Sequence, residues 1–488
     1  MKYSTPEKHG VSTAAIKKYI EHLEKHNLST HSVIIARGND VIFEKYWAPF
    51  HKDFKHRLYS VTKSFVALAL GFLADEGKIS LDDPISKYFP EETANINCEE
   101  IRAQTLRHML MMSTSMQRAG GNWFADRTDD RVRNYFRNAG IHYPHGTLFG
   151  YDSTGSFVLG ALAERVSGKT LVEYLDEKMF SHIGVGEVEA LLCPGGQSWS
   201  DSAFLMRPID LMRSARFVMN GGSWGGKQLL SESFVKEATS CLTATDDVFG
   251  FDTLEGLGYG YLIWRTNHNS FFFNGMGCQL AVCSPDKDMI LVYNGDNQGN
   301  PHAKTKIIDG FFDIIYDSVS DSELPEYTGE PIGEHSLFCL KGNASSPMAE
   351  RINGKRFVME QNQLGLKEFT LELGSEEGAF NYVNGTGEHS IHFGFGHNVF
   401  EKFTEEGYSD LVGSVAAPGN RYDSAASGEW VTENQLRIRV QIIDKYFGNL
   451  GIILAFRDDL YAAVSMGKSA EDFLWNYNGK AIGRISDN

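Results

Sequence analysis

Apolar residues recur along the first third of the chain with more than one period. Between Thr13 and His26, Ile16, Tyr19, Ile20 and Leu23 fall three or four apart, which predicts an amphipathic helix with one buried face. Ser32–Arg37 and Val41–Tyr46 are strand-like runs on either side of Gly38-Asn39-Asp40, the pattern of a hairpin. The run Phe65–Leu73 is apolar on every face and ends at Asp75-Glu76-Gly77, predicting a helix buried in the core and closed by Gly77. Shorter helices and Gly-rich connections are expected from there to about residue 240. Strand-like runs return at Gly258–Trp264, Ser270–Phe273, Gln279–Cys283 and Met289–Tyr293, and Thr305–Ser318 reads as a closing helix. The pattern predicts an α+β domain: an antiparallel sheet built from both ends of the segment, with a mostly helical insertion between them.

The texture then changes. Residues 320–333 carry acidic, Pro and Gly positions and read as a linker between a domain at 1–319 and a second at 334–488. In the second domain, Phe369–Leu373, Ala379–Val383, Ser390–Phe393, Leu436–Val440 and Gly451–Phe456 are short strand-like runs separated by Gly, Asn and Asp turns. Such spacing predicts an all-β barrel or sandwich.

Composition narrows the function classes. The net charge of −17 over 488 residues disfavours a nucleic-acid partner, which requires a basic surface, and disfavours docking on anionic lipid. No apolar run reaches the roughly 20 residues of a membrane span, and the first ten residues show no apolar leader. Six cysteines are scattered without CxxC or metal-type spacing and read as buried thiols of a reducing compartment. A cytoplasmic protein without metal or cofactor is expected.

One candidate for chemistry stands out by position. Ser60-Val61-Thr62-Lys63 opens the buried helix, and residues three apart share a helix face, so the serine hydroxyl and the lysine amine are neighbours. At a helix N-terminus the free backbone N–H groups and the helix dipole favour a developing anion. The bland alternative is a capping serine beside a surface lysine. Ser-x-x-Lys also occurs at Ser233–Lys236, on a polar stretch; at Ser284–Lys287, around Pro285; and at Ser465–Lys468, around Gly467. The first reads as a solvated helix face and the other two as turns. Tyr151-Asp152-Ser153 precedes another apolar helix and presents a phenol and a hydroxyl, unless the tyrosine simply packs. Phe273-Asn274-Gly275-Met276-Gly277 breaks a strand with glycines that allow close approach to backbone, or merely make a tight connection.

The three segments, in this order and at this spacing, resemble the serine β-lactamase and penicillin-binding-protein-like superfamily. The branch they are most similar to holds class C β-lactamases, esterases, D-aminopeptidases and 6-aminohexanoate-oligomer hydrolases. Gly77–Pro84, Leu106–Ser113 and Asn220–Lys227 add to the likeness, which spans residues 5–318. The second domain resembles, more weakly, the lipocalin-like barrels appended to some members. The resemblance implies that Ser60 is the acylated nucleophile and that Lys63 and Tyr151 share the general-base work, since a dry cleft and nearby cations ease deprotonation. It implies that Ser153 orients substrate or the proton network. The backbone N–H groups of Ser60 and Met276, next to Asn274-Gly275, would form the oxyanion hole.

The departures matter. Where β-lactam-cleaving relatives carry Lys-Thr-Gly this chain has Phe273-Asn274-Gly275, with no cation, and Ser153 stands where asparagine is usual. Ester or small-amide substrates are therefore expected first, with D-aminopeptidase or β-lactam and peptidoglycan-type hydrolysis behind them. A non-catalytic binding or sensor protein of the same fold is the rival of another class; retention of Ser60, Lys63 and Tyr151 together counts against it. Gly221-Gly222-Ser223-Trp224-Gly225 matches the Gly-x-Ser-x-Gly elbow, but a helix is expected before it and a polar turn after, the wrong surroundings. His389, His392 and His397 could suggest a metal, but 389 and 392 point to opposite faces of a strand, so exposed strand histidines are the better reading.

Overall fold

The computed structural model describes residues 1–96, 98–115, 130–137, 143–245, 257–470, 474 and 476–486. The chain divides into two compact units: residues 1–297, 301–336 and 411–413 form the first, and 298–300, 337–410 and 414–488 the second.

The first unit is built on an antiparallel sheet drawn from both ends of its sequence. Its strands are β1 (Lys2–Tyr3), β2 (Thr30–Arg37), β3 (Asp40–Ala48), β4 (Trp264–Thr266), β5 (Ser270–Gly275), β6 (Gln279–Ser284) and β7 (Met289–Gly295). They lie in the order β1–β3–β2–β7–β6–β5–β4, and β8 (His335–Ser336) joins the outer edge of β3. Only β1 and β8 run parallel to their neighbour. The expected hairpin is β2–β3. Helix α1 (Thr13–Lys25) buries Ile16, Tyr19, Ile20 and Leu23, the face its period indicated.

The all-apolar run became α2 (Val61–Asp75), buried from Val61 to Leu73. The first unit also holds α3 (Leu106–Leu110), α4 (Ser153–Ser167) and α5 (Pro208–Met219), and α6 (Ala303–Gly310) starts the closing helical run. Helices α2 and α4 pack closely, and the segment after them fits only because Gly160 is bare: a Cβ there would stand inside 3.0 Å of Ser200 Oγ. Residues 116–129 and 138–142 of the helical insertion lie outside the described residues.

The second unit is a closed barrel of nine strands. They are β9 (Arg356–Met359), β10 (Glu368–Leu373), β11 (Glu377–Val383), β12 (Glu388–Gly394), β14 (Asp423–Thr432), β15 (Gln435–Ile443), β16 (Phe447–Phe456), β17 (Tyr461–Ala470) and β18 (Gly479–Ile485). The ring runs β12–β11–β10–β9–β18–β17–β16–β15–β14 and closes where Gly394 of β12 meets Ser427 of β14; β13 (Val399–Lys402) pairs on β14. Inward residues such as Phe357, Phe369, Leu371, Phe380, Ile438 and Leu454 are fully buried.

Several expectations are corrected. Gly258–Trp264 is not a strand: Leu262 takes a left-handed φ of 54°, the segment turns, and only Trp264 enters β4. Ser465–Lys468 is not a turn but the middle of β17, where Gly467 pairs with Gly451 and a missing side chain costs little. Cys241 is exposed and Cys98 half-buried, so not all six thiols lie in the core. His389 is not exposed: its imidazole bonds Thr404 Oγ1 at 2.9 Å and Thr386 Oγ1 at 2.9 Å and lies 3.4 Å from Glu405. The Gly221–Gly225 segment follows α5 and forms a small hairpin at Ser223–Gln228, without the strand-to-helix turn an elbow requires. Among the described residues no helix is long and apolar enough to cross a membrane.

Candidate active site

The approach to α2 is held by backbone bonds. His56 and Arg57 pair with Met206 and Leu205, Leu58 N donates to Phe204 O at 2.8 Å, and Thr62 Oγ1 accepts from Phe204 N at 3.2 Å. Tyr59 then takes a left-handed φ of 48°, a conformation that costs an L-residue roughly 1–2 kcal/mol. That kink swings the chain from strand into helix and leaves Ser60 at the N-cap position. Its side chain makes no capping bond there. The hydroxyl instead accepts from Lys63 Nζ at 2.8 Å, and the same Nζ donates to Asp201 O at 2.7 Å. Lys63 is 1% exposed. The capping-serine alternative is thereby set aside: the amine is buried and aimed at the hydroxyl.

The other Ser-x-x-Lys pairs lack this setting. Ser233 and Lys236 are exposed on the helix Glu232–Ala238, and Ser284 ends β6 before the turn at Pro285–Lys287.

Tyr151 arrives from the loop before α4. Gly150 N donates to Met112 O at 2.8 Å and Asp152 N to Met112 Sδ at 3.3 Å, so one residue grips both flanks of the tyrosine. Met112 does so in a left-handed conformation, φ 52°. Asp152 caps α4 by accepting from Gly155 N at 2.9 Å, and its other oxygen accepts from Tyr135 OH at 3.1 Å. Burial, more than these bonds can offset, pushes the Asp152 carboxyl above its ordinary range. The Tyr151 ring stacks on Trp264, centroids 5.8 Å apart and planes 21° from parallel. Lys63 Nζ lies 5.3 Å from the Tyr151 ring centroid. Ser60, Lys63 and Tyr151 are thus brought together from two elements.

The third segment also converges. Asn274-Gly275 ends β5, and a Cβ on Gly275 would stand inside 3.0 Å of Leu58 O, two residues before Ser60. Only glycine lets the strand end come this close. Met276, next in the chain, is 36% exposed, and half-buried Asn274 pairs with Leu280 in the ladder. Ser153 opens α4, engaged through its carbonyl, which accepts from Ser156 Oγ at 2.7 Å. Among the described residues no hydrogen bond joins the Ser153 hydroxyl to Lys63 or Tyr151, so it stands near the site rather than in its bonded network. Asp201, Met112 and Trp264 take part and were not picked out by motif. Asp201 and Met112 act wholly or partly through their backbone, which leaves no residue-type signal; Trp264 was visible only as the end of a presumed strand.

A model of the β-lactamase family matches residues 16–308, the part of the chain that contains all of these side chains. This chain belongs to the β-lactamase family. Within it, the chain is 26% identical over 282 residues to the 6-aminohexanoate-dimer hydrolase of Paenarthrobacter ureafaciens, covering 54% of this chain and 71% of that one. It is 25% identical over 179 residues to an esterase of Burkholderia gladioli, covering 31% and 44%. A solved structure described as a hydrolase with promiscuous acyltransferase activity superposes with TM-score 0.52 over 62% of this chain and all of the other, at 15% identity, a likeness of fold. The β-lactamase-family match ends at residue 308, before the barrel begins.

Proposed function

We propose that this β-lactamase-family protein is a serine hydrolase working through an acyl-enzyme on Ser60, with esters or small amides as substrates. The observation that carries the reading is the 2.8 Å bond between the buried Lys63 amine and Ser60 Oγ at the mouth of a core helix. Asp201 O holds one N–H of Lys63, which orients the nitrogen toward Ser60. Lys63 takes the proton from Oγ as Oγ bonds the substrate carbonyl carbon. The oxygen of the tetrahedral intermediate gains negative charge and is met by the backbone N–H groups of Ser60 and Met276. The C–O or C–N bond then breaks, and the leaving group takes a proton through Tyr151. Water adds to the ester of Ser60, gives its proton to the same pair, and releases the acid with Ser60 restored. No cofactor enters.

Support for the substrate class is the absence of a cation at Phe273-Asn274-Gly275, together with relatives named for an aminohexanoate dimer and for esterase activity. D-amino-acid peptides and β-lactams rank behind, because the residue aligned with the carboxylate-binding lysine is Phe273.

The test is intact-mass spectrometry after exposure to a fluorophosphonate. One adduct, mapped to Ser60 and absent from Ser60→Ala, is expected, with turnover of p-nitrophenyl butyrate lost in the folded mutant. Equal labelling or turnover in Ser60→Ala would overturn the assignment.

A further inference from the structure

Tyr151 sits on a loop, yet its proposed role requires a hydroxyl held in one place. Two features fix it. Met112 grips the backbone on both sides, which sets the Cα. A tyrosine has two side-chain torsions, so fixing the ring plane as well fixes where the hydroxyl points. The indole of Trp264 supplies that plane, stacked at 5.8 Å and 21°, an offset geometry favoured by the ring quadrupoles.

Trp264 is itself braced. Tyr259 packs edge-on against it at 4.8 Å and 83°, Phe149 at 5.6 Å and 65°, and those two rings touch each other at 5.1 Å. All three are nearly or fully buried. Its backbone is equally held. Trp264 pairs with Phe272 of β5, and the turn before it is bonded at Leu262, whose N donates to Leu110 O at 2.9 Å. Leu262 O accepts from Ser64 Oγ at 2.8 Å. Ser64 is the residue next to Lys63 on α2. The segment that carries the indole is therefore bonded to the helix that carries the nucleophile and the amine.

From this we infer that Trp264 is a positioning residue for the reaction: its indole is the platform that aligns the Tyr151 hydroxyl with Lys63 and Ser60. The inference rests on the reading of Tyr151 as the group that protonates the leaving atom. It adds a residue that does not touch substrate and acts through Tyr151.

The experiment is a double-mutant cycle on the full chain with p-nitroacetanilide, whose leaving nitrogen needs a proton, and p-nitrophenyl acetate, whose leaving oxygen does not. Trp264→Leu is expected to lower kcat on the anilide by about ten- to a hundredfold, the scale of a misplaced reacting group, with KM within about twofold. Trp264→Phe keeps a flat ring and should recover most of the loss. In a Tyr151→Phe background, Trp264→Leu should cost nothing further, because the hydroxyl it aligns is gone. Losses that multiply in the double mutant, or a larger loss on the ester than on the anilide, would make Trp264 a general packing residue and overturn the inference. An unchanged kcat in Trp264→Leu would do the same. If that variant does not fold, Trp264→Met fills the site without a plane and carries the same cycle. A Tyr151→Phe variant with undiminished anilide turnover would instead strike the reading of Tyr151, and is distinguished by that single mutant alone.

Discussion

Gly275 is where one methyl group tests the site most directly. Substitution by alanine places a carbon inside 3.0 Å of Leu58 O, a backbone atom that cannot rotate away. Contacts between a carbon and a carbonyl oxygen settle near 3.3–3.6 Å, so β5 and the Leu58–Ser60 approach must part by something on the order of 1 Å. Leu58 is tied behind by its 2.8 Å bond to Phe204 O and by the Arg57–Leu205 pair, whereas Gly275 is the last residue of its strand. The shift therefore falls on Gly275-Met276, which supply one proposed oxyanion N–H. Misplacing such a donor costs about 100-fold in rate, and losing it about 100- to 1000-fold. Overpacking adds roughly 1–3 kcal/mol of destabilisation. The expected result for Gly275→Ala is a fall of about 100-fold in kcat for p-nitrophenyl butyrate, a parallel slowing of fluorophosphonate labelling, and a folded protein with a modestly lower unfolding midpoint. Gly467→Ala, with nothing within 4 Å of the new carbon, is the control and should leave both unchanged. A kcat within threefold of native in Gly275→Ala would refute the placement of the oxyanion donor at the end of β5.

Two more outcomes follow from buried polar groups. Lys63→Met removes the proposed base and leaves Asp201 O without the donor it has now, so turnover should fall about 100- to 10,000-fold and stability by about 1–3 kcal/mol; native labelling rates would contradict this. His56 is 0% exposed, and burial pushes its imidazole down to about 3; His31, tilted against it at 5.4 Å, is lowered for the same reason and by His56 itself. The unfolded chain binds these protons near pH 6.5 and the folded chain does not, so stability is whole above that pH and is lost as pH falls from there toward 3. At pH 5 the His56 contribution to that loss is about 2 kcal/mol, and denaturant midpoints at pH 7.5 and 5 should differ less in His56→Phe than in the native protein. Equal slopes in the two would rule His56 out as a source of acid lability.

The parts of this fold that were legible in the sequence are those whose residues decide their own environment. Ile16, Tyr19, Ile20 and Leu23 declare a helix face, and the unbroken apolar run at Phe65–Leu73 declares a helix with no exposed side. Five barrel strands could be read from their β-branched and aromatic content. Asp423–Thr432 could not, because Asp423-Ser424-Ala425-Ala426-Ser427-Gly428 has low strand preference; it becomes β14 because β15 and β13 pair with it on either side. Tyr461–Ala470, with Gly467 inside it, is a strand for the same reason. Gly258–Trp264 failed in the other direction. Its alternation suits a strand, but Leu262 is diverted by bonds to Leu110 and Ser64, contacts more than a hundred residues away that no local pattern contains.

The site divides along the same line. Ser60, Lys63 and Tyr151 carry hydroxyl, amine and phenol groups, and they could be picked out by residue type together with position at the mouths of apolar helices. What aims them is mostly backbone: the Asp201 carbonyl on Lys63, the Leu58 carbonyl against Gly275, the Met112 carbonyl beside Tyr151. A carbonyl oxygen is present at every position, so its use cannot be read from residue identity. It can be read from what must be absent around it. Gly275 is bare because a carbonyl lies where its Cβ would go, Tyr59 takes left-handed backbone just before Ser60, and Met112 takes it while bonding both flanks of Tyr151. In this family member the proposed nucleophile is encoded by residue type, while its alignment is encoded by a glycine and by two residues held where glycine would be easier.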